Sequence, residues 1–108
     1  MAQNFRRYTN NNVGTGAATS FTANSYDTVV GISVANVTAS AVNADVYIND
    51  GSNDIYLVKS APIPSGSSLQ VLDGGAKFVM QSGDALKIIS DTASSLDVWV
   101  SVVDDISS

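Results

Sequence analysis

The sequence contains no cysteine and no histidine, and all ten acidic residues among its 108 are aspartate. Each absence removes a class of chemistry. Without Cys or His there is no disulfide framework, no zinc site of the usual donors, no thiol nucleophile and no Ser-His-Asp triad. Charge is scarce as well, at 14% of residues, against roughly 25% in an average soluble domain. The net charge of −5 disfavours direct contact with nucleic acid, because every phosphate would repel the chain. No apolar run approaches the length of a membrane span, so no membrane partner is expected. The start, Met1-Ala2-Gln3-Asn4-Phe5-Arg6-Arg7, has a basic pair with no apolar stretch behind it and does not read as a secretory signal.

What is present favours a small β domain. Apolar residues make up 44% of the chain, enough for one packed core and too few for two. Fourteen Val and seven Ile against five Leu tilt the chain towards strands. Sixteen Ser, seven Thr and nine Asn supply most of the polar surface. Such short side chains lose less entropy than Lys or Glu when a contact orders them, and they hydrogen-bond without burying charge. That surface suits permanent lattices and extracellular exposure alike.

Turn signals recur every 8–12 residues from Ala17 onward, the spacing expected of a sandwich or barrel. Segments 17–23, 28–38, 45–49, 54–59, 67–72, 77–81, 85–90 and 96–103 read as strands, and no segment reads as a helix. The fold class expected is therefore all-β, a single antiparallel β-sandwich, jelly-roll-like, of about eight strands. Asp50-Gly51-Ser52-Asn53 between two alternating runs is the strongest hairpin signal, and Asp73-Gly74-Gly75 suggests a second hairpin. Pro62-Ile63-Pro64-Ser65-Gly66 reads as a loop, since proline cannot donate to a ladder. Residues 1–12 read as an extended N-terminal arm ahead of a sandwich domain at 13–108, because Asn10-Asn11-Asn12 favours turns. That arm is either a frayed terminus or a tether docking Phe5, Arg6, Arg7 and Tyr8 on a neighbour.

The strand faces carry the functional reading. Val30, Ile32 and Val34 alternate onto one face. Pairing around the Asp50 turn sets Ile48 against Ile55 and Val46 against Leu57, with Tyr47 opposite Tyr56 on the reverse side. In the last strand Val98, Val100 and Val102 share one face, and Trp99 and Val103 lie on the other with Asp97 and Ser101. A strand apolar on both sides sits beneath another layer or at a subunit interface. The Tyr pair either covers its own sheet or meets a partner. Trp99 is either shielded by its own chain or an interface anchor, a role in which Trp is enriched.

Catalytic constellations fail in turn. A Ser–Lys dyad through Lys59, Lys77 or Lys87 has no local signature. Most Asp residues sit beside Gly, Asn or Ser, where turns explain them, and the adjacent Asp104-Asp105 would point to opposite faces of a strand. Gly14-Thr15-Gly16 and Gly74-Gly75 are followed by no helix and are not phosphate loops. The Asn49–Asp54 turn gathers oxygens but lacks the alternation and distal Glu of a calcium loop. Asn36-Val37-Thr38 matches a glycosylation sequon, a pattern short enough to arise by chance. No enzyme activity, cofactor or metal is expected.

Met1–Tyr8, Asn12–Thr15, Val46–Asn49 with Asp50-Gly51-Ser52, Tyr56–Lys59, Ala61–Ser68 and Ser82–Lys87 resemble small virion structural proteins of tailed bacteriophages, especially those of marine cyanobacteria. The resemblance covers most of the chain and rests on turn and loop patterns. It implies a non-enzymatic β-sandwich in a repeated position of a particle. The expected role is capsid decoration, a cement protein bridging capsomers of the major capsid protein. It would be localised to the virion after assembly in the host cytoplasm, and homo-oligomeric around a symmetry axis. The alternatives are a neck, tail or fibre-attachment component, and a carbohydrate-binding sandwich module. Phe5, Arg6, Arg7, Tyr8, Tyr47, Tyr56 and Trp99 are the candidate interface residues.

Overall fold

The computed structural model describes residues 3–23, 26–72 and 78–105, with side chains apart from those of residues 3–5, 26, 72, 78 and 104–105. Nine strands follow in chain order: β1 Gln3–Val13, β2 Ala18–Thr22, β3 Tyr26–Asn36, β4 Val42–Asn49, β5 Asp54–Ile63, β6 Ser68–Leu72, β7 Phe78–Met80, β8 Ala85–Ser90 and β9 Leu96–Asp105. They form two antiparallel sheets. Sheet A runs β1-β9-β3-β6, with β7 also paired to β3, and sheet B runs β2-β8-β4-β5.

The connectivity has a simple logic. The Asp50–Asn53 turn closes the β4–β5 hairpin, as its Asp-Gly signal predicts, with Gly51 at φ 98. Every further pairing nests outside it: β3 with β6 and β7, then β2 with β8, then β1 with β9. Successive strands before the hairpin alternate between the sheets. Counting β6 and β7 as one interrupted strand gives eight strands in two sheets of four, a jelly roll.

The core lies between the sheets. Leu96, Val98, Val100 and Val102 alternate inward from β9, and Leu86 and Ile88 do so from β8. From β3 come Val29, Ile32 and Val34, and from β4 Val42, Ala44 and Val46. Burying each such side chain contributes about 1.5–3 kcal/mol relative to leaving it exposed. Two polar side chains enter this interior with full satisfaction. Asn36 donates through Nδ2 to the carbonyls of Ser40 (2.8 Å) and Ile63 (2.9 Å), and its Oδ1 accepts from the Thr38 amide and hydroxyl. Ser95 bonds with Ser90 and donates to the Thr92 carbonyl, knitting the β8–β9 loop together. That loop is tied to the end of β1 by Ser95 N–H to Val13 O and Ser90 N–H to Gly14 O, both 2.9 Å.

Six expectations are corrected. Residues 3–13 are not an arm detached from the sandwich: they form β1, paired to β9 from Gln3↔Asp105 to Asn10↔Val98, so a domain boundary at 12/13 would cut a strand. The three asparagines that suggested a turn make a bulge instead, with Asn12 at φ 55 and its amide on Asp97 Oδ1. β6 and β7 do not pair with each other; both run antiparallel to β3, one after the other, and residues 73–77 between them lie outside the described residues. Pro62 sits inside β5 rather than in a loop, which is allowed because β5 is the outer strand of sheet B. A bulge between Val29 and Gly31 seats Val29, not Val30, in the core. Finally, a register shift after Tyr47↔Tyr56 sets Val46 against Val58 instead of Leu57.

Candidate functional site

The outward faces of the two sheets hold the residues singled out by the sequence. On sheet A, the regular alternation of β9 turns Asp97, Trp99 and Ser101 away from the core. Trp99 is 51% exposed. It stands between β1 and β3, opposite Thr9 on one side and Ser33 on the other. The Arg7 guanidinium lies over its indole, 5.4 Å from the ring centroid, a cation–π contact.

Two shallow troughs flank the indole. The first, about 360 Å³, is lined by Thr9, Asn10, Asn11, Ser33, Ala35 and Asp97 beside Trp99. The second, about 350 Å³, is lined by Arg6, Arg7, Val30, Ser101 and Val102. Arg7 borders only the second, so the first meets the indole away from the guanidinium. Gln70 Nε2 donates to Ser33 Oγ at 3.1 Å and extends the polar rim.

The opposite face of the molecule, on sheet B, carries the tyrosine pair. Tyr47 and Tyr56 are directly paired across β4 and β5 with ring centroids 5.0 Å apart and planes tilted by 37°. Tyr47 is buried, which pushes its phenol pKa upward, with Asp54 adding to the rise. Tyr56 remains 42% exposed. Lys59 Nζ sits 4.4 Å from the Tyr56 ring centroid and 3.6 Å from Asp45 Oδ2, and its contact with Tyr56, then the Asp45 charge, raises its pKa. Ile55, 54% exposed beside Tyr56 in β5, pairs with Ile48 and so belongs to the other side of the hairpin. The patch is aromatic with a cation laid across it, like its counterpart on sheet A.

The candidate residues therefore divide. Arg7 and Trp99 meet on one outer face, and Arg6 borders the same trough. Tyr47 and Tyr56 meet on the other. Tyr8 belongs to neither, because it is half-buried and stacks on Phe21 of β2 at 4.3 Å and 7°, closing the corner between the sheets. The Phe5 side chain lies outside the described residues, as do the Asp104 and Asp105 side chains, Asp73-Gly74-Gly75 and Lys77.

The remaining motifs resolve into structure. The Asn49–Asp54 turn uses its oxygens internally: Asn49 Nδ2 donates to Asp54 Oδ1, Gly51 N–H to Asn49 Oδ1, and the Ser52 and Asn53 amides to Asp50 Oδ1. The Asn53 amide, then that of Ser52, lowers the Asp50 pKa. The sequon residue Asn36 is 3% exposed with its amide nitrogen on two carbonyls, so a transferase cannot reach it in the folded protein. Among the described residues no three acidic side chains gather as a metal site would require, and no helix is long and apolar enough to cross a membrane.

No protein-family model matches the sequence, and no curated protein does. Among solved structures the fold is similar to a protein of the Bacillus endospore appendages, described as a novel family of disulfide-linked pili. The TM-score is 0.58 at 15% identity, over 98% of this chain and 88% of that one. A pentameric capsid protein from metagenomic phage sequences also matches, at TM-score 0.47 and 18% identity, over 95% of this chain and 61% of the other.

Proposed function

We propose that this chain is a structural protein of a tailed-phage virion, a decoration protein that bridges neighbouring capsid subunits without catalysis. The observation that carries the reading is the placement of exposed aromatic–cation patches on opposite faces of a two-sheet sandwich, Arg7 with Trp99 on one and Tyr56 with Lys59 on the other. A bridging protein needs two contact faces pointing apart. Aromatic and Arg side chains are what desolvated contact centres favour. The scarcity of charge and the Ser, Thr and Asn surface lower the cost of ordering each contact, and repetition over a shell multiplies modest affinities. The resemblance of its turn sequences to small virion proteins supplies the setting.

Mixing the purified protein with emptied capsids of the phage that encodes it tests this. The expected result is saturation at a fixed copy number per capsomer and a higher capsid melting temperature. Absence of binding would overturn it, and a stoichiometry of six or twelve per particle would move it to the neck or tail.

The first trough supports a second reading. An indole edged by Thr9, Asn10, Asn11 and Asp97 has the form of a sugar-stacking platform with hydroxyl-bonding partners. Titrating neutral oligosaccharides against the emission of Trp99 separates the two: a glycan-binding module responds without any capsid present.

A further inference from the structure

The four outer strands of the two sheets are not alike. β5 breaks its register twice, holds Ser60 at φ 53 and contains Pro62, so its edge is blunted. β2 is five residues long with a register shift between Thr19 and Phe21. The remaining edge of sheet A is shared by β6 and β7, five and three residues long, and there Val79 is 61% exposed. β1 is different again. From Gln3 to Asn10 it follows β9 residue for residue, with no shift and no proline, and it is paired on one side only. Its Arg7 lies back over Trp99 rather than along the edge. A long, regular outer strand of this kind is a template for another strand.

We propose that the outer edge of β1 pairs with the β6–β7 edge of a second copy, continuing sheet A from one molecule into the next. The argument is one of direction and charge. All pairings in sheet A are antiparallel across four strand positions, so its two outer strands run in opposite senses. A copy displaced sideways without turning over therefore presents β6 and β7 antiparallel to β1. The rival arrangement, β1 against β1 about a two-fold axis, keeps every side chain on its own face, so its two longest registers across residues 3 to 10 set Arg6 opposite Arg6 or Arg7 opposite Arg7, which like-charge repulsion disfavours. β6 (SLQVL) and β7 (FVM) carry no charge to oppose the arginines, and pairing would cover Val79. Such a contact is heterologous, so it closes into a ring or grows into a filament.

This inference deepens the reading as a repeated structural protein and rests on it, yet is tested without any capsid. Adjacent amides of a strand point to opposite sides, so Arg6→Pro and Arg7→Pro, made separately, divide the two ladders. One removes a bond to β9 and lowers the melting temperature; the other removes only an outward N–H. Sedimentation velocity over a wide concentration range should show the wild type and the Arg6→Ala and Arg7→Ala controls assembling. The proline variant with the unchanged melting temperature, and Val79→Lys, should lose the faster species. A wild type that stays monomeric throughout, or a Val79→Lys protein that assembles like wild type, overturns the proposal. A monomer that still saturates capsids overturns the edge pairing alone. An assembling protein that ignores capsids overturns the capsid reading, not the geometry of the edge.

Discussion

At the scale of single residues, the decisive side chains are small and polar. Asn36 makes four hydrogen bonds that join β3, the following loop and the end of β5. Replacing it with Ala leaves the Ile63 carbonyl buried and without that donor, and Asn36→Ala should cost about 2–4 kcal/mol in denaturant unfolding. Its importance was not legible in the sequence, where it stood out only as part of a sequon. Burial is what the pattern could not show. Asp50 behaves oppositely, in full view at an Asp-Gly turn. Its pKa in the folded protein lies below the ordinary 3.8, because the Asn53 and Ser52 amides favour the charged form. The stabilisation is therefore present above 3.8 and lost as pH falls through the lowered value. Asp50→Asn should melt slightly below wild type at neutral pH, with the gap narrowing as the pH drops below 3.8.

At the scale of elements, alternation of apolar residues was enough to find most strands, and the Asp-Gly turn to place the first hairpin. The inward and outward faces of β9 follow directly from the alternation of Leu96–Val103, because its register to β3 is unbroken from Gly31↔Ser101 to Asn36↔Leu96 and the extra residue beyond that lies in β3. The errors share one cause. Bulges at Val29–Gly31, at Asn12 and within β5 each add a residue, reversing which parity faces the core, and alternation alone carries no mark of that. Pairing β6 with β7 failed for a related reason: a glycine-rich segment signals a break in a strand as readily as a reversal. Gly14 belongs to this scale too. A Cβ there would meet backbone atoms of Ser94 at 3.1 Å and Ala93 at 3.2 Å, where β1 is tied to the β8–β9 loop. Gly14→Ala should destabilise by about 1–3 kcal/mol in the same denaturation assay, since backbone rather than a pliable side chain must move.

For the whole molecule, the candidate site was half legible. Composition excluded only chemistry that needs Cys or His, and strand parity placed Trp99 and the tyrosine pair on outward faces. That these lie on opposite faces required the topology, and so did the reassignment of Tyr8 to the corner of the core. Trp99→Ala removes an exposed ring and one cation–π contact of about 0.5–1 kcal/mol, so the isolated protein should melt within a few degrees of wild type. On the proposed bridging role, capsid binding should fall at least tenfold, and Tyr56→Ala should weaken it independently, since that role needs two separate contact faces. Removing residues 1–12 is a poorer experiment, because it takes most of β1 out of sheet A and so mixes any loss of contact with damage to the fold.

The nested pairing also dictates an order of events as the chain folds. The Asp50–Asn53 hairpin closes a few residues, whereas the last pairing joins Gln3 to Asp105. Loop closure of that span has an entropic cost that neighbouring strands must first reduce. On that count β1 is expected to be the last strand to dock. Refolding followed by indole emission should report that arrival as a late step, since Arg7 reaches Trp99 only when the outermost ladder has zipped.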